Sequence, residues 1–180
     1  MSKPAAFVML LALAALCAGV FGALHNQLSY SVGASYFHDF KFAQFGIAEA
    51  SQNRIGAAWV GWRASWWMGL LIGLPAFGLG LVMIGKPSHL VAAGIGAIGA
   101  VLFVTLLFAM GGLMLGMFGS GTSFAAAHDI PAGVTDRDSF LRAAFMHEGA
   151  YIGGLVGLLA ALATMWRAGK VERRMSGAPA

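Results

Sequence analysis

Residues 90–118, LVAAGIGAIGAVLFVTLLFAMGGLMLGMF, form a stretch of 29 residues without a charged side chain. Residues 5–24, 64–84 and 149–166 share this character, and each comes close to the roughly 20 residues that a helix needs to cross a bilayer core. Only 10% of the chain is charged, against about 25% in soluble domains, and the mean hydropathy is +0.78. Because backbone groups in hydrocarbon must be satisfied within their own segment, the sequence predicts an all-α integral membrane protein with four transmembrane helices.

The basic residues favour one orientation of this up-and-down bundle. A dense basic group, residues 167–174, follows the last apolar stretch, and the positive-inside rule places such groups in the cytoplasm. With four spans, both termini are then cytoplasmic. The first stretch is expected to be a retained anchor helix, with a cleaved signal peptide as the alternative. The predicted boundaries within one membrane domain, 1–180, are TM1 at about 5–24, an outer interfacial segment at 25–55, TM2 at about 59–84, TM3 at about 90–118, an outer loop at 119–135, TM4 at about 136–167 and a basic cytoplasmic tail at 168–180.

Aromatic residues mark the predicted outer boundary of the second helix. Four tryptophans are expected to anchor it as an aromatic belt, with Arg63 reaching the headgroups. They are Trp59, Trp62, Trp66 and Trp67. The preceding stretch, 35–56, is too polar to span and too aromatic for an idle loop, so we expect a partly helical segment across the outer face of the bundle. On a regular helix Tyr36 and Phe37 would share a face that excludes Phe42. A docking site for another membrane subunit is the functional alternative.

Small residues recur at every fourth position of the last apolar stretch. Such a row lets another helix backbone approach closely, which favours helix packing in a membrane. The row consists of Gly149, Gly153, Gly157 and Ala161. Upstream of it, the sequence TDRD at 135–138 has the pattern of a capping box. The fourth helix is therefore expected to begin near Asp136, before the membrane.

Four of the five histidines are predicted to lie on the outer side. His25 ends the first apolar stretch, and counting back from Trp166 places His147 at a similar depth. Imidazole with carboxylate suits Cu, Zn or Fe, so a metal site is one hypothesis. The candidate ligands are His25, His128, His147 and Glu148, with His38 and Asp39 as a weaker pair.

Two other interpretations of these residues stay open. Haem b held between His25 and His147 is less favoured, because neither histidine lies well inside its helix. Separate interface residues are the simpler interpretation, with Glu148 paired to Arg63 or Arg142. An ionisable group at the edge of a membrane is nevertheless a functional candidate.

Residues 25–47 contain the motif HNQLSY, followed by YF, FKF and QFG. Together with the tryptophan-rich start of the second helix, this segment resembles a recurring segment of small uncharacterised bacterial inner-membrane proteins. The resemblance implies a multi-pass protein of the bacterial inner membrane. It implies no reaction.

No nucleophile elbow, zinc-binding spacing or dinucleotide loop is present in the sequence. The sequence therefore favours a non-enzymatic membrane protein that acts as an accessory or assembly subunit, or as a homo-oligomer. Its expected partners are the lipid bilayer and a membrane protein or second copy, and nucleic acid is disfavoured because a basic juxtamembrane tail is attracted to anionic lipid. The alternatives are a periplasm-facing metal-binding or metal-handling protein, and a small proton-coupled transporter gated by Glu148 and Arg63.

Overall fold

The computed structural model describes residues 1–119, 121–126 and 128–177, and over these ranges it is helical without a strand. The helical elements are α1 (Lys3–Val32), α2 (Ala34–Tyr36), a π-helical turn (Phe37–Lys41), α3 (Phe42–Gln44), a 3₁₀ turn (Glu49–Ser51), α4 (Arg54–Met83), α5 (Pro87–Phe118), α6 (Ser123–Ala126) and α7 (Arg137–Met175). Four of them, α1, α4, α5 and α7, are long and apolar enough to cross a membrane. The prediction of four such helices in an all-α bundle is confirmed.

Helix α1 continues to Val32, beyond the boundary predicted at residue 24. Side chains of its polar last turns bind backbone carbonyls of α4, which holds these turns against α4. The Asn26 amide donates to the Ala57 oxygen at 2.9 Å, and the Gln27 amide donates to the Arg54 oxygen at 2.8 Å. The segment predicted as interfacial from residue 25 therefore begins within the last turns of α1.

Helix α7 begins beside Asp136, as the sequence predicts, and ends at Met175 rather than near residue 167. Its N-cap is Asp136, whose carboxylate accepts from the Ser139 N–H at 3.0 Å. Thr135, the first residue of the capping-box pattern, instead donates its N–H and its hydroxyl to the Asp39 carboxylate, each at 2.9 Å. The cap is thus one residue later than the pattern suggests, because Thr135 is held by the aromatic segment.

The long helices pack as two antiparallel pairs, α1 with α4 and α5 with α7. Glycines permit both approaches: a Cβ at Gly61 would overlap the backbone of Gly22, and a Cβ at Gly149 would overlap the carbonyl oxygen of Phe108. Likewise, a Cβ added at Gly153 would lie 2.8 Å from the Cα of Thr105. The small-residue row of α7 therefore packs against α5 of the same chain.

The segment after α1 covers the end of the bundle where α4 and α7 begin, which we call the capped end. Phe37 and Phe42 are both fully buried there. The expectation that Phe42 would point away from this face is wrong, because the π-helical turn at 37–41 adds a residue to the turn and rotates the residues after it. The buried cluster comprises Tyr36, Phe37, Phe42, Ala57, Val60, Phe140, Ala143 and Ala144.

The opposite end, which we call the hairpin end, contains the turn between α4 and α5. The Glu172 carboxylate of α7 accepts from the backbone N–H groups of Gly85 and Lys86, the latter at 2.9 Å. Lys3 of α1 donates to the Leu81 carbonyl at 2.6 Å. The start of α1 and the end of α7 therefore lie at the same end of the bundle.

Candidate ligand cavity between the helix pairs

A cavity of about 120 Å³ lies between the two helix pairs and is bordered by all four long helices. The cavity exists because many of the residues around it are small. Each helix pair contributes glycines and alanines at positions where larger side chains would fill the cavity. From His147 to Ala161, α7 borders the cavity over about 20 Å, at a rise of about 1.5 Å per residue. The walls are mostly apolar; two histidines, Asn26 and Lys41 lie at the capped end, and Ser65 and Thr105 lie further along the cavity.

Two histidines from opposite helix pairs meet at the polar end of the cavity. The rings of His25 and His147 stand edge to face with 4.7 Å between their centroids. His147 Nε2 lies 3.2 Å from the Ser29 hydroxyl, and its ring stacks on Tyr36 at 4.8 Å. The sequence predicted a similar depth for these two histidines, and in the structure their rings are in direct contact.

His25 is the least satisfied polar side chain of this region. It is 9% exposed, and neither of its ring nitrogens has a hydrogen-bond partner among the described residues. A neutral imidazole always carries one N–H donor and one acceptor nitrogen. Leaving such a buried group unpaired costs about 1–3 kcal/mol. His25 therefore offers an unmet donor and an unmet acceptor to the cavity.

Lys41 supplies the positive charge of the cavity. Its ammonium donates to Gln44 Oε1 at 2.8 Å and lies 4.6 Å from the centre of the Phe40 ring. Burial lowers the pKa of Lys41 from its ordinary value, because desolvation disfavours the charged ammonium. Among the described residues that border the cavity there is no aspartate or glutamate. The polar end is thus rich in donors and has no anionic group of its own.

Arg63 places a second positive charge near the same end. Its guanidinium donates to the Phe45 carbonyl at 3.0 Å and lies 5.4 Å from the centre of the Phe45 ring. Phe45 itself borders the cavity, whereas Arg63 is exposed. Arg63 therefore flanks the polar end without entering the cavity.

Tyr36 packs behind His147 and does not itself border the cavity. Burial raises the pKa of its hydroxyl, with smaller contributions from Tyr151 and Glu148. The phenol therefore stays neutral at physiological pH and remains a hydrogen-bond donor. It contributes an aromatic face to His147 and no charge to the cavity.

The other predicted metal ligands are separated from the histidine pair. His128 Nε2 lies 3.5 Å from Glu148 Oε1, and His38 Nε2 lies 2.9 Å from the Tyr30 hydroxyl. Asp39 accepts its hydrogen bonds from Thr135. Within the described ranges, no three histidine, cysteine or acidic side chains are grouped to hold one ion. The six candidate ligands therefore do not form one site in this part of the chain.

The ion pairs expected for Glu148 are wrong. Arg142 donates its Nε to the Val32 carbonyl at 2.8 Å, which ties the start of α7 to the end of α1. Arg63 is held by Phe45. Glu148 has His128 beside it instead, at 3.5 Å, and borders a hollow lined by α5 residues such as Phe108 and Gly112.

The four tryptophans do not all have the same environment. Trp59, Trp66 and Trp67 are 55%, 43% and 46% exposed, as membrane anchors would be. Trp62 packs on α1, where a Cβ added to Gly19 would lie 2.6 Å from its ring. One member of the predicted belt is therefore a contact between helices.

Two cavity residues were missed at the sequence level. Lys41 is a single cation inside the aromatic sequence FHDFKF, which is an unusual setting for a solvated lysine. Gly154 lies beside the recognised glycine row of α7 but outside its four-residue spacing, and an added Cβ there has only Ile72 within 4 Å, at 3.8 Å. The aromatic neighbours of Lys41 could have marked it as a candidate, whereas no sequence pattern distinguishes Gly154.

Comparisons of this chain with protein-family models, with curated proteins and with solved structures gave no match.

Proposed function

We propose that this protein is a non-enzymatic, multi-pass membrane protein that binds a lipophilic molecule between its two helix pairs. The observation that carries the proposal is an apolar cavity that ends at His25, a buried imidazole without a partner among the described residues. Natural ligand cavities combine apolar walls with a few convergent polar groups. A ligand that pairs with His25 would remove the cost of leaving it unsatisfied.

The location of the cavity suits a ligand that arrives from the bilayer. Under this proposal all four long helices span a bacterial inner membrane, and the hairpin end faces the cytoplasm because residues 167–174 are basic. The polar end of the cavity then lies near the periplasmic headgroups, and its apolar end, about 20 Å deeper, lies beyond the middle of a hydrocarbon core of about 30 Å. An amphiphile in the outer leaflet has its head at the depth of the polar end and its tail alongside the apolar walls.

Binding is better supported than catalysis. Ser29 and His147 are within hydrogen-bond reach, which is the spacing of a nucleophile and its base. However, Ser29 is fully buried and does not border the cavity, and no acidic side chain among the described cavity residues orients His147. A molecule in the cavity would meet His25 and Lys41 and would not reach the serine oxygen.

The surfaces that favoured a protein partner in the sequence are covered by other parts of the same chain. The α7 glycine row packs on α5, and Phe37 and Phe42 of the aromatic segment are fully buried. An accessory or homo-oligomeric role stays a prediction, but those features no longer motivate it. A transporter gated by Glu148 and Arg63 has less support, because neither residue borders the cavity.

The first experiment compares lipid content between two glycine variants. Gly154→Leu is expected to fill the cavity, since an added Cβ there meets only Ile72. Gly99→Leu is the matched control, because an added Cβ at Gly99 meets no described atom within 4 Å and Gly99 does not border the cavity. Each protein is purified in a mild non-ionic detergent and examined by native mass spectrometry, with extraction to identify any bound molecule.

A bound molecule in wild-type protein and in Gly99→Leu, with at least tenfold lower occupancy in Gly154→Leu, supports the proposal. Equal occupancy in all three proteins would place the molecule on the surface instead. No co-purifying molecule, together with no binding of added amphiphiles, would end the proposal.

Metal handling is the second candidate, and the adjacency of His25 and His147 is what favours it. Two imidazoles from different helix pairs can share a d-block ion, although structural sites have more ligands. Elemental analysis of protein purified without a metal-affinity column tests it. Near-stoichiometric Cu, Zn or Fe that is lost in His25→Ala would favour this candidate, and metal content unaffected by that substitution would exclude the pair as a site.

A further inference from the structure

We infer that the cavity takes a single-chain lipid with an acidic head, of the medium-chain fatty-acid class, whose carboxylate lies between Lys41 and His25. This inference rests on the proposed function and specifies its ligand. Two features of the cavity support it: the charge at the polar end and the size of the apolar part.

The charge of the polar end matches an anion. Lys41 borders the cavity, and its ammonium makes no ion pair within the part of the chain that the structure describes. Its polar contact is to the neutral amide of Gln44. With Arg63 beside Phe45 and no carboxylate among the described cavity residues, the partly buried ammonium of Lys41 lacks a counterion there. A carboxylate would supply that counterion and accept a hydrogen bond from His25.

The size of the cavity favours one chain. The volume of the cavity is about 120 Å³, and this volume extends along about 20 Å of α7, so the cavity is narrow for its length. Two acyl chains side by side, or a flat macrocycle such as haem, would require the helix pairs to separate. A single alkyl chain needs the least separation, and its lower end would lie among small side chains such as Ala76, Ala97 and Ala161.

A set of ligands with one tail length tests the assignment of the head. Decanoic acid, decanol and decyltrimethylammonium are each titrated into protein in a non-ionic detergent, and binding is measured by calorimetry and by native mass spectrometry. We expect decanoate to bind about 10- to 100-fold more tightly than decanol, as a charge-assisted hydrogen bond provides. The quaternary ammonium is expected not to bind.

Two substitutions at position 41 locate the charge. Lys41→Met keeps an unbranched stem and removes the ammonium, so decanoate affinity is expected to fall to that of decanol. Lys41→Arg keeps the charge and is expected to recover most of the preference for the acid. A variant of Lys41→Met that still bound decanol would show that the cavity remains folded.

The outcomes separate this inference from the function on which it rests. If decanol and decanoate bind equally and Gly154→Leu abolishes both, the cavity binds lipophiles but the acidic head is wrong. If an isoprenoid quinone or a two-chain phospholipid is the molecule found in the purified protein, the ligand class is also wrong. If Gly154→Leu changes nothing, both the inference and the proposed function fail. Preference for decanoate that disappears in Lys41→Met supports both.

Discussion

Two adjacent glycines of α5 test how closely α5 and α7 pack. Gly112 faces α7, where an added Cβ would overlap the carbonyl oxygen of Phe145 and lie 3.2 Å from the Cα of Met146. Gly111 faces away, and an added Cβ there meets no described atom within 4 Å. Because the two positions share a helix and nearly the same depth, Gly111→Ala is a matched control for Gly112→Ala.

The expected magnitudes depend on two opposing effects. Alanine is favoured over glycine in a helix by about 1 kcal/mol, and this gain is common to both variants. Overpacking costs about 1–3 kcal/mol, and the upper part of that range applies at Gly112 because a backbone oxygen cannot rotate away. We therefore expect Gly111→Ala to raise the free energy of unfolding by up to about 1 kcal/mol, and Gly112→Ala to lower it by about 1–2 kcal/mol.

The free energy of unfolding is measured by titrating sodium dodecyl sulfate into mixed micelles and following helicity by circular dichroism. Gly149→Ala provides the reciprocal test from α7, since its added Cβ would overlap the Phe108 carbonyl oxygen. Unfolding free energies for Gly111→Ala and Gly112→Ala that agree within about 0.5 kcal/mol would refute the close backbone contact. A stabilising Gly112→Ala would refute it more strongly.

Three further substitutions test contacts at the ends of the bundle. Glu172→Gln weakens the capping of the α4–α5 turn and is expected to cost about 1 kcal/mol of unfolding free energy in the same titration; no change would mean that the turn holds itself. Asn26→Ala removes the amide that binds an α4 carbonyl and is expected to lower the free energy of unfolding by about 0.6–2 kcal/mol. Gln27→Ala removes a more exposed hydrogen bond and is expected to cause a smaller loss. Asp39→Ala removes the acceptor of both Thr135 donors, so hydrogen exchange at the Thr135 amide is expected to accelerate by at least tenfold; unchanged protection there would show that this contact does not hold the segment.

The four long helices could be predicted from the sequence because hydropathy and helical rise are local properties. A charge-free stretch such as 90–118 needs no partner to be helical in hydrocarbon. The same reasoning placed His25 and His147 at one depth, since counting residues along a helix gives height. Counting residues could not show in which direction around its helix axis each histidine points. The sequence therefore did not show whether the two histidines are in contact.

The remaining errors concern contacts between distant segments. Glu148 lies beside His128 instead of an arginine, and Arg63 binds the Phe45 carbonyl. Nothing near these residues in the sequence distinguishes one partner from the other. Phe42 is buried because a π-helical turn precedes it, and a regular 3.6-residue period cannot show such a turn.

By itself the sequence determined that this chain forms four apolar helices with its histidines gathered mostly toward one end. Only the tertiary structure decided that the glycine row of α7 packs on α5, that His25 stays unpaired beside His147, and that a cavity remains between the helix pairs. The physical reason is that each apolar segment specifies its own helix, whereas a cavity depends on small side chains from four helices meeting in one place. Gly154 and Lys41 lie more than a hundred residues apart in the chain, and only packing brings both to the same cavity.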